Sequence, residues 1–379
     1  MLKRLIDCFE EVDDPRDPAK IEHRLIDILV IAVCAVVAEA DSFVDIEDYG
    51  RSKEAWLKRF LALPHGIPSH DTFRRVFSLI DPQHFWRCFM GWVQSVFKSR
   101  QGDDALSRHV AIDGKTVRRS FDKKNGRHPL HLVNIYASET GLTLAQTAIS
   151  AKAHERQVAS DLLDGLDIEG CLITLDAGFC YKDIIKKIRA KKADYLVCLK
   201  GNQPTLHAEI EDWFEINCFA RGAPHYRPQH DYFDDSHGRL VRRRVFVTTD
   251  LSPFSKLKAW PDVQAVIAVE NIGSRAKGDG KVTAEIRHFI TSAELEPERL
   301  GMAIRRHWTI ENGLNWVMDV TFDEDRCRVR EARAAENLAS LRRIALNLAR
   351  AETDTNISMR RKRKRAAWDN AYMEKLMQA

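Results

Sequence analysis

Two apolar runs of this chain stop at the same kind of residue. His109-Val-Ala-Ile-Asp-Gly-Lys115 and Leu172-Ile-Thr-Leu-Asp-Ala-Gly178 each read as a short buried strand that ends in an aspartate where it meets solvent. A third carboxylate, Glu311, follows Ala303-Ile-Arg-Arg-His-Trp-Thr-Ile310, where Ile304, Trp308, Glu311 and Asn315 recur at helical spacing. A strand-end aspartate is commonly a turn or helix-cap residue. If Asp113, Asp176 and Glu311 converge instead, their repulsion calls for cations, and hard Mg²⁺ or Mn²⁺ suits oxygen donors. A pair of such ions activates a water or hydroxyl and stabilises the leaving oxygen of a phosphodiester displacement.

The rest of the chain supplies a setting for those strands. Residues 1–100 read as helical, with apolar stripes Phe73, Val76, Phe77, Ile80 and then Phe85, Phe89, Trp92, Val93, Val96. Pro68 with Ser69 or Asp71 starts the first of these helices, and Asp81-Pro82 stops it. Arg74 and Arg75 on its polar side either enter DNA, as a helix-turn-helix would, or simply cover a surface helix. Gln101-Gly-Asp-Asp104 reads as a linker. Strands are expected at His109 to Asp113, Leu130 to Ala137 and Leu142 to Ile149, with turns at residues 123–126 and 139–141. A helix from Val158 to Leu166, the Asp176 strand, a helix from Ile184 to Lys191 and the strand Tyr195 to Leu199 follow. Three strands and then alternating helix and strand is the order of an RNase H-like mixed sheet. Residues 204–300 interrupt it with a helix near Leu206 to Phe214, a Gly/His/Asp-rich loop and β-like runs Leu240 to Thr248, Val263 to Val269 and Val282 to Ile290. Helices Ala303 to Asp319 and Ala332 to Ala351 close the core.

Composition excludes some classes of function. With 44% hydrophobic and 30% charged residues the chain is an ordinary globular protein and not a disordered one. The longest apolar run, Ile28 to Ala38, is too short to span a membrane and is bracketed by Asp27 and Glu39, so a buried helix is expected. The N-terminus turns acidic at once and lacks a secretory core, which points to the cytoplasm and to no membrane partner. The eight cysteines include no C-x-x-C pair, so neither zinc nor disulfides are indicated, and Cys34, Cys171 and Cys198 read as buried free thiols.

A net charge of +4 does not identify a nucleic-acid partner, because affinity follows local cation density. Two clusters do stand out. Arg360, Arg361, Lys362, Arg363, Lys364 and Arg365 form an unbroken basic run, and Arg242-Arg-Arg244 forms another. The first contacts DNA or is a solvated tail; the second contacts DNA, with Arg242 and Arg244 as the contacts, or is a polar strand face. Trp368, Tyr372 and Leu376 make a stripe that would instead dock the tail on the body or on a second subunit. Lys115, Arg118 and Lys200 lie close to the aspartates and are candidate phosphate contacts, as is His307. Trp308 reads as core, and Asn312 and Asn315 as partners that hold Glu311. Asp319, two helical turns beyond Glu311, would be carried roughly 12 Å along a helix and reads as a capping or supporting residue.

Asp14-Pro-Arg16, Ile67-Pro-Ser-His-Asp-Thr-Phe-Arg-Arg-Val-Phe77, Ala111-Ile-Asp-Gly-Lys-Thr-Val-Arg118, Leu196-Val-Cys-Leu-Lys-Gly-Asn-Gln203, His307-Trp-Thr-Ile-Glu-Asn312 and Trp316-Val-Met-Asp-Val-Thr-Phe-Asp-Glu-Asp-Arg326 occur in this order. Together they resemble the insertion-sequence transposases of the DDE superfamily, in the H-repeat-associated subgroup. The resemblance implies that Asp113, Asp176 and Glu311 are the metal-binding triad of an RNase H-like core. It implies cleavage of double-stranded DNA at mobile-element ends and joining to a target site, with two Mg²⁺ or Mn²⁺ ions and a homodimer on paired ends. Where the wider family places Tyr, Arg and Lys around the glutamate this chain has Ile304, His307 and Met318, and where the subgroup has Gln after the second aspartate it has Tyr181. The rival readings are a transposase-derived DNA-binding protein without catalysis and an RNase H-like nuclease that does not join. The expected architecture is α/β: a helical N-terminal domain over 1–100, an RNase H-like catalytic domain over 105–350 with a β-rich insertion at about 204–300, and a basic tail over 351–379. Lys152 and Glu155 also match the subgroup, with no chemistry attached to them.

Overall fold

Helix starts follow local capping chemistry. In helix α3 (Phe43–Leu57), Ser42 and Asp45 form a reciprocal capping box. Helix α4 (His70–Leu79) starts at Ser69, whose hydroxyl accepts from the Thr72 amide. Asp81 and Pro82 end α4 and also start α5 (Pro82–Ser99), where the Asp81 carboxylate accepts from the Gln83 and His84 amides. The long apolar run becomes α2 (Leu25–Val37), buried on every side from Ile28 to Val37. Among the described residues no helix is long and apolar enough to cross a membrane.

The computed structural model describes residues 3–121, 128–149, 155–235, 240–274 and 282–378. The turn expected at 123–126, Lys152 and the side chain of Glu155 lie outside the described residues. The architecture is mixed α/β, with a helical N-terminal region and a large mixed sheet. Packing divides the chain into two compact units, one of residues 1–101, 114–154 and 310–379, the other of residues 102–113 and 155–309.

The first unit contains α1 (Lys3–Glu10) and α2 to α5, together with the end of strand β1 (His109–Val117) and the antiparallel pair β2 (Leu130–Ala137) and β3 (Thr143–Ile149). Helix α11 (Ala332–Ala351) packs against α2, α4 and α5, and its face is buried almost throughout. It is tied by polar bonds as well: Asn347 exchanges hydrogen bonds with the Thr143 backbone, and Asn337 donates to the Phe77 and Ile80 carbonyls.

The C-terminal residues are not a loose tail. They form α12 (Met359–Trp368) and α13 (Asn370–Leu376), and both pack on α11. Tyr372 and Leu376 are buried, so the stripe docks within this unit, although Trp368 at its start is 78% exposed. Two residues of the basic run are buried with it. Lys362 pairs with Glu352 at 3.0 Å and donates to the Ala349 carbonyl. Arg363 lies 4.0 Å over the Phe322 ring and donates to the Val36 and Thr321 carbonyls, and burial pushes its guanidinium down to about 10. The expectation of DNA contact therefore fails for Lys362 and Arg363, whose donors are spent internally. Arg360, Arg361 and Arg365 face outward and Lys364 is half-buried.

In the second unit the strand order is β1-β4-β5-β9-β8-β7-β6. Strands β1, β4 (Leu172–Leu175) and β5 (Asp194–Leu199) are parallel neighbours, as the alternation with helices α6 (Glu155–Asp164) and α7 (Lys182–Ala190) requires. The β-rich region does not interrupt this sheet but extends it. After α8 (Pro204–Phe214), strands β6 (His230–Asp234), β7 (Val241–Thr248), β8 (Ala265–Ser274) and β9 (Val282–Thr291) run antiparallel from the free edge of β5. Strand β6 falls where a loop was expected. Helix α9 (Pro297–His307) covers β4, β6 and β7.

Arg242, Arg243 and Arg244 lie on β7 among carboxylates. Arg242 makes a forked bond to Asp231, Arg243 pairs with Asp234, and Arg244 pairs with Glu270 at 2.6 Å while stacking on Phe246. These are cross-strand ion pairs of the kind that stabilise a sheet. Arg244 is enclosed by Glu270 and Phe246, which opposes the expected DNA contact there, whereas Arg242 keeps 45% of its side chain exposed beside Asp231.

Candidate active site

Ile112 on β1 is paired with Leu175 on β4, so the next residues, Asp113 and Asp176, stand side by side on neighbouring parallel strands, about 4.8 Å apart along the hydrogen-bonding direction. Strand β4 ends there, as its sequence suggests. Strand β1 does not: it runs on through Gly114 to Val117, because β2 flanks it where β4 has stopped. Asp113 is thus within a strand at the level where its neighbour ends.

Asp176 occupies the N-cap position of the short turn Ala177–Phe179, yet its carboxylate accepts no capping hydrogen bond. Capping therefore does not account for it. The loop beyond is fixed from below by the Gly201-Asn-Gln203 segment: Asn202 donates to the Ala177 carbonyl at 2.6 Å and Gln203 to the Cys180 carbonyl at 2.9 Å. These two amides have no role that the sequence alone suggests, and their place directly after the β5 strand was the available signal. Lys200, the first residue past β5, is more than half exposed and lies 3.7 Å from Asp176. Tyr181 starts α7 and carries the Arg156 guanidinium 4.8 Å over its ring, a surface packing role.

Beneath the aspartates lies a polar strut. The Thr174 hydroxyl on β4 is 3.0 Å from His109 Nε2 on β1 and 2.9 Å from His307 Nδ1 at the end of α9. Burial pushes both rings down, His109 to about 3 and His307 to about 4, so both are neutral at pH 7. His307 brings no charge to a phosphate, contrary to expectation; it ties α9 to β4. Trp308 is not core either: it is 38% exposed, with Arg287 5.0 Å over its face.

Glu311 lies in the first unit and its side chain is exposed. It opens a π-helical turn, Glu311–Asn315, that leads into α10 (Trp316–Val320), where one uninterrupted helix was expected. Such turns carry one extra residue, are rare, and concentrate at functional sites. Along the expected stripe Ile304 and Asn315 are buried, while Trp308 and Glu311 are exposed. The turn is clamped: Arg350 donates to the Gly313 carbonyl, and a Cβ at Gly313 would collide with the Tyr136 hydroxyl.

Lys115 and Asp319 belong to a different assembly. Lys115 is buried, pairing with Asp319 at 2.6 Å and with Glu324 at 3.0 Å. Arg343, fully buried, grips Glu324 with its fork and donates to Asn134. Burial alone would raise the Glu324 carboxyl, but Arg343 and Lys115 hold it below the usual range; burial lifts that of Asp319 against the pull of Lys115. The expectation that Lys115 meets phosphate is corrected, since its ammonium is enclosed by carboxylates. Arg118 remains exposed, 3.5 Å from Asp325.

Two adjacent carboxylates suit a hard divalent cation, which takes oxygen ligands. Among the described residues no three His, Cys, Asp or Glu side chains are gathered closely enough to form a complete metal cage.

Comparison with known proteins agrees with this chain's motifs. Residues 6–93 match the DDE_Tnp_1-associated family model and residues 104–348 match the Transposase DDE domain. The chain is 36% identical to "Putative transposase YncI" of Escherichia coli O157:H7, over 99% of this chain and 95% of that one. It is 34% identical to "H repeat-associated putative transposase YhhI" of Escherichia coli K12, over 99% and 98% of the two chains. A piggyBac transposase solved in a synaptic complex with hairpin DNA aligns at 12% identity and a TM-score of 0.45, over 100% of this chain and 79% of that one, a likeness too slight to bear on the fold. With family matches across nearly its whole length, and relatives that it covers almost end to end, the chain belongs to the DDE transposases, in the H repeat-associated subgroup.

Proposed function

We propose that this transposase cleaves DNA at the ends of a mobile element and joins the freed 3′-hydroxyl to target DNA, using an RNase H-like core in which Asp113, Asp176 and Glu311 act together. The observation that carries this reading is the register that sets Asp113 beside Asp176, with the Asp176 carboxylate unused by any cap. These carboxylates would hold Mg²⁺ or Mn²⁺, and the chemistry such ions supply is activation of the attacking water or hydroxyl and stabilisation of the leaving oxygen. Lys200, exposed beside Asp176, neutralises phosphate charge as the DNA enters. Thr174, His109 and His307 keep the aspartate-bearing strands and α9 in fixed register. Two copies of the chain would work on paired element ends.

The assignment of the third carboxylate follows from where the alternatives are spent. Asp319 is occupied by Lys115 and Glu324 by Arg343, whereas Glu311 is exposed in a clamped π-turn. Glu311→Gln is expected to eliminate both cleavage and joining on an element-end duplex. Asp319→Asn should retain measurable activity, because the amide oxygen still accepts from Lys115. Preparations matched by circular dichroism, assayed with the same substrate, check this; the reverse ranking would transfer the role to Asp319.

A further inference from the structure

We propose that an arginine-lined groove in the first unit grips the phosphate backbone of duplex DNA. The proposal rests on the reading of DNA as substrate and adds a surface to it. After Asp323, which takes a left-handed backbone conformation (φ 49°), the chain makes one short turn, Glu324–Arg326, and then continues without regular secondary structure from Cys327 to Arg330. Along this run the side chains alternate. Cys327 is buried and Val329 half-buried, while Arg326, Arg328 and Arg330 are exposed. The inward residues anchor the segment, and the three arginines are left together on its exposed side. Guanidiniums grouped in this way suit the phosphates of a nucleic-acid backbone.

These arginines border an open groove of about 650 Å³ whose opposite lining includes Arg74 of α4 and the start of α3. The acids that share the groove are largely spent. Glu331 caps α11 by accepting from the Ala334 amide, Asp41 lies beside the buried Arg342 and Arg363, and Asp323 sits 3.5 Å from Arg326. Arg74 pairs only at the surface, with Asp71 at 2.9 Å, and such pairs yield readily to phosphate. Arg328 has no side-chain partner among the described residues. Arg330 donates to the Arg119 and Phe121 carbonyls, which binds the segment to the turn carrying exposed Arg118 and Arg119. The segment is also rigidly based, because Glu324 at its foot is locked by Arg343 and Lys115.

The test is the full-length triple variant Arg74→Gln/Arg326→Gln/Arg328→Gln, with Arg330 left in place because it supports a turn. Binding to an element-end duplex and to a scrambled duplex is measured by fluorescence anisotropy over a range of salt. Affinity should fall about equally for both sequences, and the log–log salt slope should flatten by roughly 0.9 for each phosphate that is no longer neutralised, so by two to three in all. The matched lysine variant should keep most of the slope, which separates loss of charge from misfolding. A wild-type slope in the glutamine variant, with wild-type protein binding normally, would overturn this surface alone. Absence of salt-dependent DNA binding by the wild type would overturn the DNA reading along with it. A loss confined to a duplex RNA probe would overturn the assignment to DNA.

Discussion

Asp113→Asn and Asp176→Asn are each expected to abolish DNA cleavage while leaving folding and DNA binding nearly unchanged. The amide keeps the shape of the side chain but removes the charge that would hold a divalent cation. The strand register beneath, with Ile112 opposite Leu175, uses only backbone bonds, so the sheet should survive. Cation chemistry of this kind is worth several kcal/mol of transition-state stabilisation, which at about 1.4 kcal/mol per decade is a rate loss of about a thousandfold or more. Calorimetric Mn²⁺ titration should show weakened binding in both variants. Nicking at the wild-type rate in either would remove these aspartates from the site.

The largest effect on stability is expected at Arg343. Arg343→Met would leave Glu324 fully buried with Lys115 as its remaining ion-pair partner and would strip Asn134 of its donor. Breaking a buried pair from one side costs about 3–5 kcal/mol, because the remaining charge is stranded. The direction with pH follows from Glu324, whose carboxyl is held below its ordinary value. Its contribution is fully present above the unfolded value, about 4.3, and is lost as the pH falls below that. Urea unfolding at pH 7 therefore reads the whole effect. Arg343→Met/Glu324→Leu should be less destabilised than the single variant, since no charge is left unpaired. A single-variant loss below about 1 kcal/mol would mean that the network contributes little.

Asp176 was legible as a strand end because a buried strand must be apolar and a charge at its end must reach solvent, whereas Asp113 stands beside it within β1. The length of β1 was not legible. Gly114 reads as a stop, yet β2 continues to pair with the strand after β4 has ended. Strand β6 was hidden because its polar residues look like a loop until Asp231 and Asp234 are seen to serve the arginines of β7. The π-turn at Glu311 leaves no mark in the pattern of apolar residues, which continues around the extra residue.

Cations were the least legible feature. Lys115 looks like a surface lysine beside a site, and only the fold brings it to Asp319 and Glu324. Lys362 and Arg363 sit in the most basic stretch of the chain, but they fall on the face of α12 that packs inward. Of the expected stripe Trp368, Tyr372 and Leu376, the last two pack inward, because apolar residues at helical spacing need a partner even next to a basic run, while Trp368 stays exposed.

The central claim is that this transposase cuts and joins DNA with carboxylate-held divalent ions. The most direct measurement incubates purified wild-type protein with a labelled element-end duplex and a target plasmid, with Mg²⁺ or Mn²⁺ and with chelator. The account predicts nicked ends with free 3′-hydroxyls and joined products in either metal, with neither product in chelator. Tight binding of the ends without any cleavage in Mg²⁺ or Mn²⁺, or cleavage that persists in chelator, would contradict it.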